Sequence, residues 1–430
     1  MSSSRRLCLL FILVSAARAA TTPATPAADA SPWKTSVTLG ARIGYDDNVF
    51  LQDPSPVIAA NGVPDRAGSM VGSATVGLTT AWQRDRAFIF DAGYSPELVR
   101  YERFASENHD DHRFNAGVHG DTGPWGYDFK GSFLLVDGED TSPIFGHAGG
   151  APAIGGEQVR SRRDQSLTKT SGRLTYAVAP RVFVRAVGAT SSQDFGTQQK
   201  RTTIVPGYAN YVDRAEWTVG ADAGWRLTPD LALLAGVRRG AQRQGALIGT
   251  ASQSSNTLTR YLVGVEGKLH RTLTVSVLAG PDYRTFDNAA PIGADHTRHT
   301  EYAEANATWT PSTADTVTLT GKRYLWLSSG GKTPYDSTTC DVQWKHAFSK
   351  TWSASLAAGY QEGDNTDYVA ASSFRDDHIY TITLGGGYAI NAHTKLDLSI
   401  VREWGVSEIA HQDGREYNHW LGNLALRYTF

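Results

Sequence analysis

Along most of this chain, apolar and polar residues alternate one for one. The clearest case runs from Trp217 to Leu227, where Trp217, Val219, Ala221, Ala223, Trp225 and Leu227 oppose Thr218, Asp222 and Arg226. Successive side chains of an extended strand point to opposite faces, so a period of two makes one surface greasy and the other wet. The stretch Arg415 to Phe430 repeats the pattern. Trp420, Leu424, Leu426, Tyr428 and Phe430 share one face, and His419, Asn423, Arg427 and Thr429 the other. An apolar face that gathers Trp, Tyr and Phe, and closes on an aromatic, is expected of the last strand of a transmembrane β-barrel. The lipid face of such a barrel is apolar and its edges carry aromatic girdles.

The same alternation begins at Trp33. There Val37, Leu39, Ala41, Ile43 and Tyr45 oppose Lys34, Ser36, Thr38, Arg42 and Asp46. From Trp33 to the C-terminus no helical periodicity breaks in. Strands of roughly ten to fifteen residues are separated alternately by a tight turn and a longer loop. This predicts an all-β fold: a single transmembrane antiparallel β-barrel of about 18 strands over residues 33–430, with long extracellular loops and short periplasmic turns. Trp82, Trp125, Tyr176, Trp225, Trp309, Trp352 and Tyr388 lie beside the short turns, as an inner girdle would. Tyr45, Tyr94, Trp217, Tyr261, Tyr283, Tyr360, Trp404 and Trp420 lie beside the longer loops, as an outer girdle would. Both ends of the barrel segment then sit in the periplasm. A soluble propeller alternates too, but strands of this length and unbroken loop alternation fit it poorly.

Composition agrees without deciding. Mean hydropathy is −0.33 and 20% of residues are charged, which hides any membrane span because half of each strand faces water. The formal net charge of −2 argues against a nucleic-acid partner bound through its phosphates. The one long apolar run is N-terminal. Arg5 and Arg6 precede Leu7 to Val14, and Ala17-Arg18-Ala19 supplies a small-x-small cleavage site. Residues 1–19 read as a secretory signal peptide, too short to span a bilayer, and residues 20–32 as a periplasmic lead-in. The expected location is the outer membrane of a Gram-negative bacterium. After cleavage one cysteine, Cys340, remains, so neither a disulfide nor a thiolate metal cluster is available.

The first strand ends Gly44-Tyr45-Asp46-Asp47-Asn48-Val49-Phe50. This Tyr-Asp-x-Asn-Val pattern, with the signal peptide and the terminal Phe430, resembles the outer-membrane β-barrel porins of exopolysaccharide and capsule operons. The resemblance implies an outer-membrane barrel with a part in polysaccharide traffic, and it brings no catalytic residues. Expected partners are outer-membrane lipid, the barrel-assembly machinery through the strand ending at Phe430, and polysaccharide.

Channel selectivity comes from pore-lining charge and pore width. The faces opposite the greasy ones carry Arg42, Arg113, Lys130, Arg185, Arg226, Arg260, Lys268, Lys345 and Arg427, and also Asp91, Asp128, Asp222, Glu266 and Asp397. The basic excess favours anionic solutes, unless the charges merely pair across strands and fill the lumen. The loop from Asp137 to Gln158 is the candidate to fold inward as a constriction, presenting Phe145 and His147. His109, Asp111 and His112, in the tract His109-Asp110-Asp111-His112, are the candidate metal ligands, and Asp376-Asp377-His378 echoes them. Adjacent residues of a strand cannot all face one ion, so ligation there needs a loop turn. No nucleophile elbow or spaced Ser/His pair suggests a hydrolase. The reading is a channel for saccharides or small anions, without cofactor. The alternatives are a non-conducting structural or adhesive barrel, and an outer-membrane hydrolase.

Overall fold

Each alternating stretch of the sequence forms a strand, and every strand pairs antiparallel with its chain neighbours. The computed structural model describes residues 31–51, 67–138, 162–196, 212–245, 254–288, 296–328, 334–365, 375–409, 412–413 and 416–430. Residues 1–19, expected to be a signal peptide, and most of the expected lead-in lie outside these.

The strands are β1 (Trp33–Asp46), β2 (Ser69–Gln83), β3 (Ile89–Tyr101), β4 (His109–Thr122), β5 (Trp125–Gly138) and β6 (Gln165–Ala179). They continue as β7 (Val182–Phe195), β8 (Arg214–Thr228), β9 (Leu231–Gln244), β10 (Asn256–His270), β11 (Leu273–Phe286) and β12 (Thr297–Trp309). The last six are β13 (Asp315–Trp326), β14 (Tyr335–Ala347), β15 (Trp352–Asp364), β16 (Arg375–Ala389), β17 (Thr394–Ile409) and β18 (Tyr417–Thr429). A two-residue rung, Gln412–Asp413, folds back on the end of β17. One 3₁₀ turn, Ala105–Glu107, lies between β3 and β4. Among the described residues there is no α-helix.

β1 pairs with β18 as well as with β2, from Thr38 opposite Thr429 to Asp46 opposite Leu421. The sheet is therefore a closed barrel of 18 strands, as the alternation predicts. Closure leaves no sheet edge, which lets backbone polar groups survive in a lipid environment.

Of the eight tight turns at one rim, several owe their shape to short polar side chains that bond back to the chain. Asp85 Oδ1 accepts from the backbone of Ala87 at 2.8 Å. Asn391 Oδ1 accepts from His393 and Thr394, both at 2.8 Å. Ser349 Oγ accepts from Thr351 at 3.1 Å and Trp352 at 3.0 Å. The turn between β4 and β5 uses Gly123, with φ +58°, a conformation that costs glycine little.

The greasy face points outward. Leu39, Val76, Val219, Val263, Leu384 and Leu426 are all exposed on the outer wall. Aromatic rings collect at its two rims. Near the short turns, Trp125 packs on Tyr176 with centroids 4.6 Å apart, and Trp352 on Tyr388 at 4.5 Å. Near the long loops, Tyr94 packs on Phe114 at 4.4 Å, and Tyr380 on Trp404 at 5.4 Å. The buried groups face the interior instead, and about half of them are polar or charged.

Candidate pore interior

Where the chain passes from β1 into its first long loop, it is pinned to the last strand. Asp46 Oδ1 meets His419 Nε2 at 2.9 Å and also accepts from the Asn48 backbone at 3.1 Å. Asn48 Nδ2 donates to the Asn418 carbonyl at 2.9 Å, and Asp47 Oδ1 accepts from the Trp420 backbone at 2.7 Å. Val49 and Phe50 then pack with Ala67, Tyr101 and Phe104. The Tyr-Asp-x-Asn-Val stretch thus latches β1 onto β18 from inside. Arg162 ties the end of the third long loop to the same place. It donates to Tyr101 Oη at 3.0 Å and to the Val49 carbonyl, and it pairs with Glu107.

The interior charges are mostly satisfied in pairs. Arg42 donates to Glu97 at 2.7 Å, and Arg113 to Glu97 at 3.1 Å and to Asp111. Asp128 accepts from Arg173 at 3.0 Å and faces Lys130 at 3.2 Å. Arg238 donates to Asp222 at 2.7 Å, and Asp397 takes Arg427 at 2.9 Å and Lys395 at 3.0 Å. Asp282 holds both Arg260, at 2.8 Å, and Arg284, at 2.7 Å. Arg185 reaches from β7 to β10 and binds Glu266 through both oxygens, at 2.9 and 3.0 Å. Asp91 stands 4.0 Å from His119. Ion pairs of this kind repay part of the cost of removing charge from water. They also cancel most of the field these residues would otherwise present to a solute.

Three of the predicted cations are different. Among the described residues the Arg226 side chain bonds only a carbonyl, that of Pro180 at 3.0 Å, and lies 5.2 Å over the Phe183 ring. Among the described residues Lys268 and Lys345 have no ion pair. Arg226, Arg185 and Glu266 border a cavity of about 360 Å³ just inside the short-turn rim.

The interior also contains rings that a search for greasy faces passes over. Phe183, Leu234, Leu262, Leu278 and Tyr302 form one buried cluster along the inner wall, with Tyr324 against it. Arg260 lies 4.2 Å over the Tyr302 ring, Lys322 lies 4.1 Å over Tyr324, and Arg214 lies 4.9 Å over Trp326. Tyr324 and Trp326 contact edge to face at 5.4 Å. Counting by twos from Glu304 and Lys322 gives all three rings, so alternation contained the signal.

Alternation did not contain the bend of β13. Its ladder to β12 stops at Arg323 opposite Ala303, while its ladder to β14 continues to Trp326 opposite Tyr335. Beyond Arg323 the β13–β14 end leaves the wall and folds inward. Arg214, Gln242 and Gln244, on β8 and β9, donate to the carbonyls of Leu327 at 2.6 Å, Leu325 at 3.1 Å and Ser328 at 2.5 Å. On the opposite side Tyr335 packs with Leu51, Ile379 and Tyr417. The β13–β14 end is therefore an inward-folded element among the described residues. Phe145 and His147 lie outside them.

The metal tract is strand, not loop. On β4, His109 and Asp111 turn inward and are buried, while Asp110 and His112 face outward. The candidates His109, Asp111 and His112 thus cannot meet on one ion. His112 instead bonds Tyr94 Oη at 2.9 Å, and His378 bonds Tyr360 Oη at 3.0 Å. Among the described residues two other groups have ligand atoms within 4.8 Å of one another: Asp46 with Asp47 and His419, and Glu362 with Asp376 and His378. The first is committed to the strand latch.

A closed antiparallel barrel with a lipid-facing band, two aromatic girdles and a charged interior defines a porin-like outer-membrane β-barrel. Residues 181–427, more than half of the chain, match the family described as "Putative beta-barrel porin 2", and the chain belongs to it. No curated protein sequence matches it significantly. Among solved structures it is similar to the outer membrane protein opdK from Pseudomonas aeruginosa, with 10% identity and a TM-score of 0.41 over 92% of this chain and 99% of that one. It is also similar to Pseudomonas aeruginosa OpdO, with 12% identity and a TM-score of 0.41 over 93% and 97%. Acinetobacter baumannii OccAB4 is a third, with 11% identity and a TM-score of 0.38 over 92% and 98%. In outer-membrane barrels the short turns are periplasmic and the long loops extracellular.

Proposed function

We propose that this barrel is a passive channel for saccharides or small anions, including the acidic oligosaccharides of exopolysaccharide traffic. The observation that supports this best is the inner pair Tyr324 and Trp326, half-buried rings in edge-to-face contact with Lys322 and Arg214 over them. Sugar rings stack their C–H faces on aromatic side chains, and guanidinium and ammonium groups hold carboxylates. Lys268, Lys345 and Arg226, which no carboxylate among the described residues neutralises, add an anion-favouring field deeper in the lumen. Passage requires neither a cofactor nor a covalent step. It runs down whichever gradient the cell maintains, so export and uptake would use the same lumen.

The test is single-channel conductance of the refolded protein in planar bilayers, with and without oligouronides. Steady conductance that oligouronides block, and neutral oligosaccharides block less, is the expected result. Anion preference without saccharide block would reduce the reading to a general porin. Absence of conductance would make the inward β13–β14 end a plug and the barrel a structural one.

A further inference from the structure

Ladder register places five strand cations on the outer wall: Arg100, Arg239, Arg243, Arg323 and Arg402. Four of them have an oxygen partner. Arg100 meets Asp110 at 2.5 Å, Arg239 donates to Thr259 at 2.7 Å, Arg243 to Asp287 at 2.6 Å, and Arg323 faces Glu301 at 3.7 Å. Arg402 has neither a hydrogen bond nor an ion pair among the described residues. It is exposed, and its rung partners are Ile382 on β16 and Trp420 on β18. Its guanidinium carbon lies 5.3 Å from the Trp404 ring centroid and 5.2 Å from that of Trp420. The belt continues through Trp404 to Tyr380 at 5.4 Å and on to Tyr360 at 5.4 Å.

A charge on the lipid face is costly at the bilayer midplane and tolerable at the interface, where the girdle rings sit. Two indoles attract the guanidinium and hold it, yet leave its N–H donors unused. Those donors form a rigid fork that suits the oxygens of a phosphate. Beside it and below it, Ile382 and Ile400 are exposed and apolar, as acyl chains require. We propose that Arg402, clamped between Trp404 and Trp420, binds the headgroup phosphate of an outer-leaflet lipid. This rests on the long-loop rim facing the cell exterior, and is independent of what the lumen conducts.

The test uses the full chain, purified in detergent and mixed with bisphosphorylated lipid A or its dephosphorylated form. Retained lipid is counted by native mass spectrometry. Wild-type protein should retain the phosphorylated form selectively. Arg402→Leu should retain about tenfold less, the loss expected of one charge-assisted contact, and Arg402→Lys an intermediate amount. Excess inorganic phosphate should leave the lipid in place. Folding of each variant is checked by heat-modifiable gel mobility, and Arg402→Gln serves if Arg402→Leu fails to fold. Equal retention by wild type and variant would overturn the proposal. So would parallel loss of both lipids, or displacement by inorganic phosphate. A wild-type dimer that Arg402→Leu turns into a monomer would also overturn it, by assigning the face to a second copy of the chain. A silent channel with normal lipid retention would count against the conduction reading alone.

Discussion

Phe183 lies flat on the inner wall because Gly224, directly opposite on β8, has no side chain to hold it off. A Cβ at Gly224 would collide with the Phe183 ring. Above the ring sit Arg185, at 5.3 Å, and Arg226, at 5.2 Å. Gly224→Val should therefore lift Phe183 and push Arg185 off Glu266. Overpacking of this kind costs about 1–3 kcal/mol, read as a lower guanidinium midpoint by tryptophan fluorescence. Gly224→Ala should lose less. At this scale the sequence told which face each residue occupies, because alternation is a local property. It could not tell who partners whom across the lumen. Arg185 and Glu266 stand 81 residues and three strands apart, and nothing near either one announces the other.

Elements were legible for the same reason and to the same limit. Every strand follows from its own alternation, and the turns follow from Asp85, Gly123, Ser349 and Asn391. The inward bend of β13 has no such mark. From Lys322 to Ser328 the chain contains neither glycine nor proline, and the apolar run Tyr324 to Leu327 does not by itself say which way the strand turns. The bend is set by what the segment meets, namely side chains on β8 and β9 that capture its carbonyls. Each lost bond is worth about 1 kcal/mol, so Arg214→Ala with Gln244→Ala should weaken the capture by about 2 kcal/mol. That is roughly a thirtyfold shift toward a released β13–β14 end. A larger single-channel conductance, with longer open dwell times, is the expected readout. Unchanged conductance would show that the bend does not limit flow.

For the barrel as a whole, what matters electrically is the charge left over after pairing. Composition is nearly neutral and the strand faces looked basic, but most of that basic excess is cancelled by Glu97, Asp111, Asp282 and their neighbours. The reserve can be released. Glu266→Gln should free Arg185 and leave Arg173 with Asp128 alone. One extra positive charge acting at about 15 Å through an effective dielectric near 20 is worth roughly 1 kcal/mol. That predicts a several-fold rise in anion over cation permeability, measured as a reversal-potential shift in a potassium chloride gradient.

The latch at Asp46, Asn48 and His419 bears on a weakness built into any barrel made of alternating strands. Sliding one strand by a single residue turns its greasy side inward, so hydrophobicity forbids odd slips. Sliding it by two leaves every side chain on the correct face, and hydrophobicity cannot see the error. β1 and β18 are the one neighbouring pair that neither a turn nor a loop joins directly, so no hairpin geometry fixes their register. Three buried polar groups that find partners at a single setting supply what the repeating pattern lacks. A barrel closed two residues out of step would look right to the membrane and still be distinguishable from within.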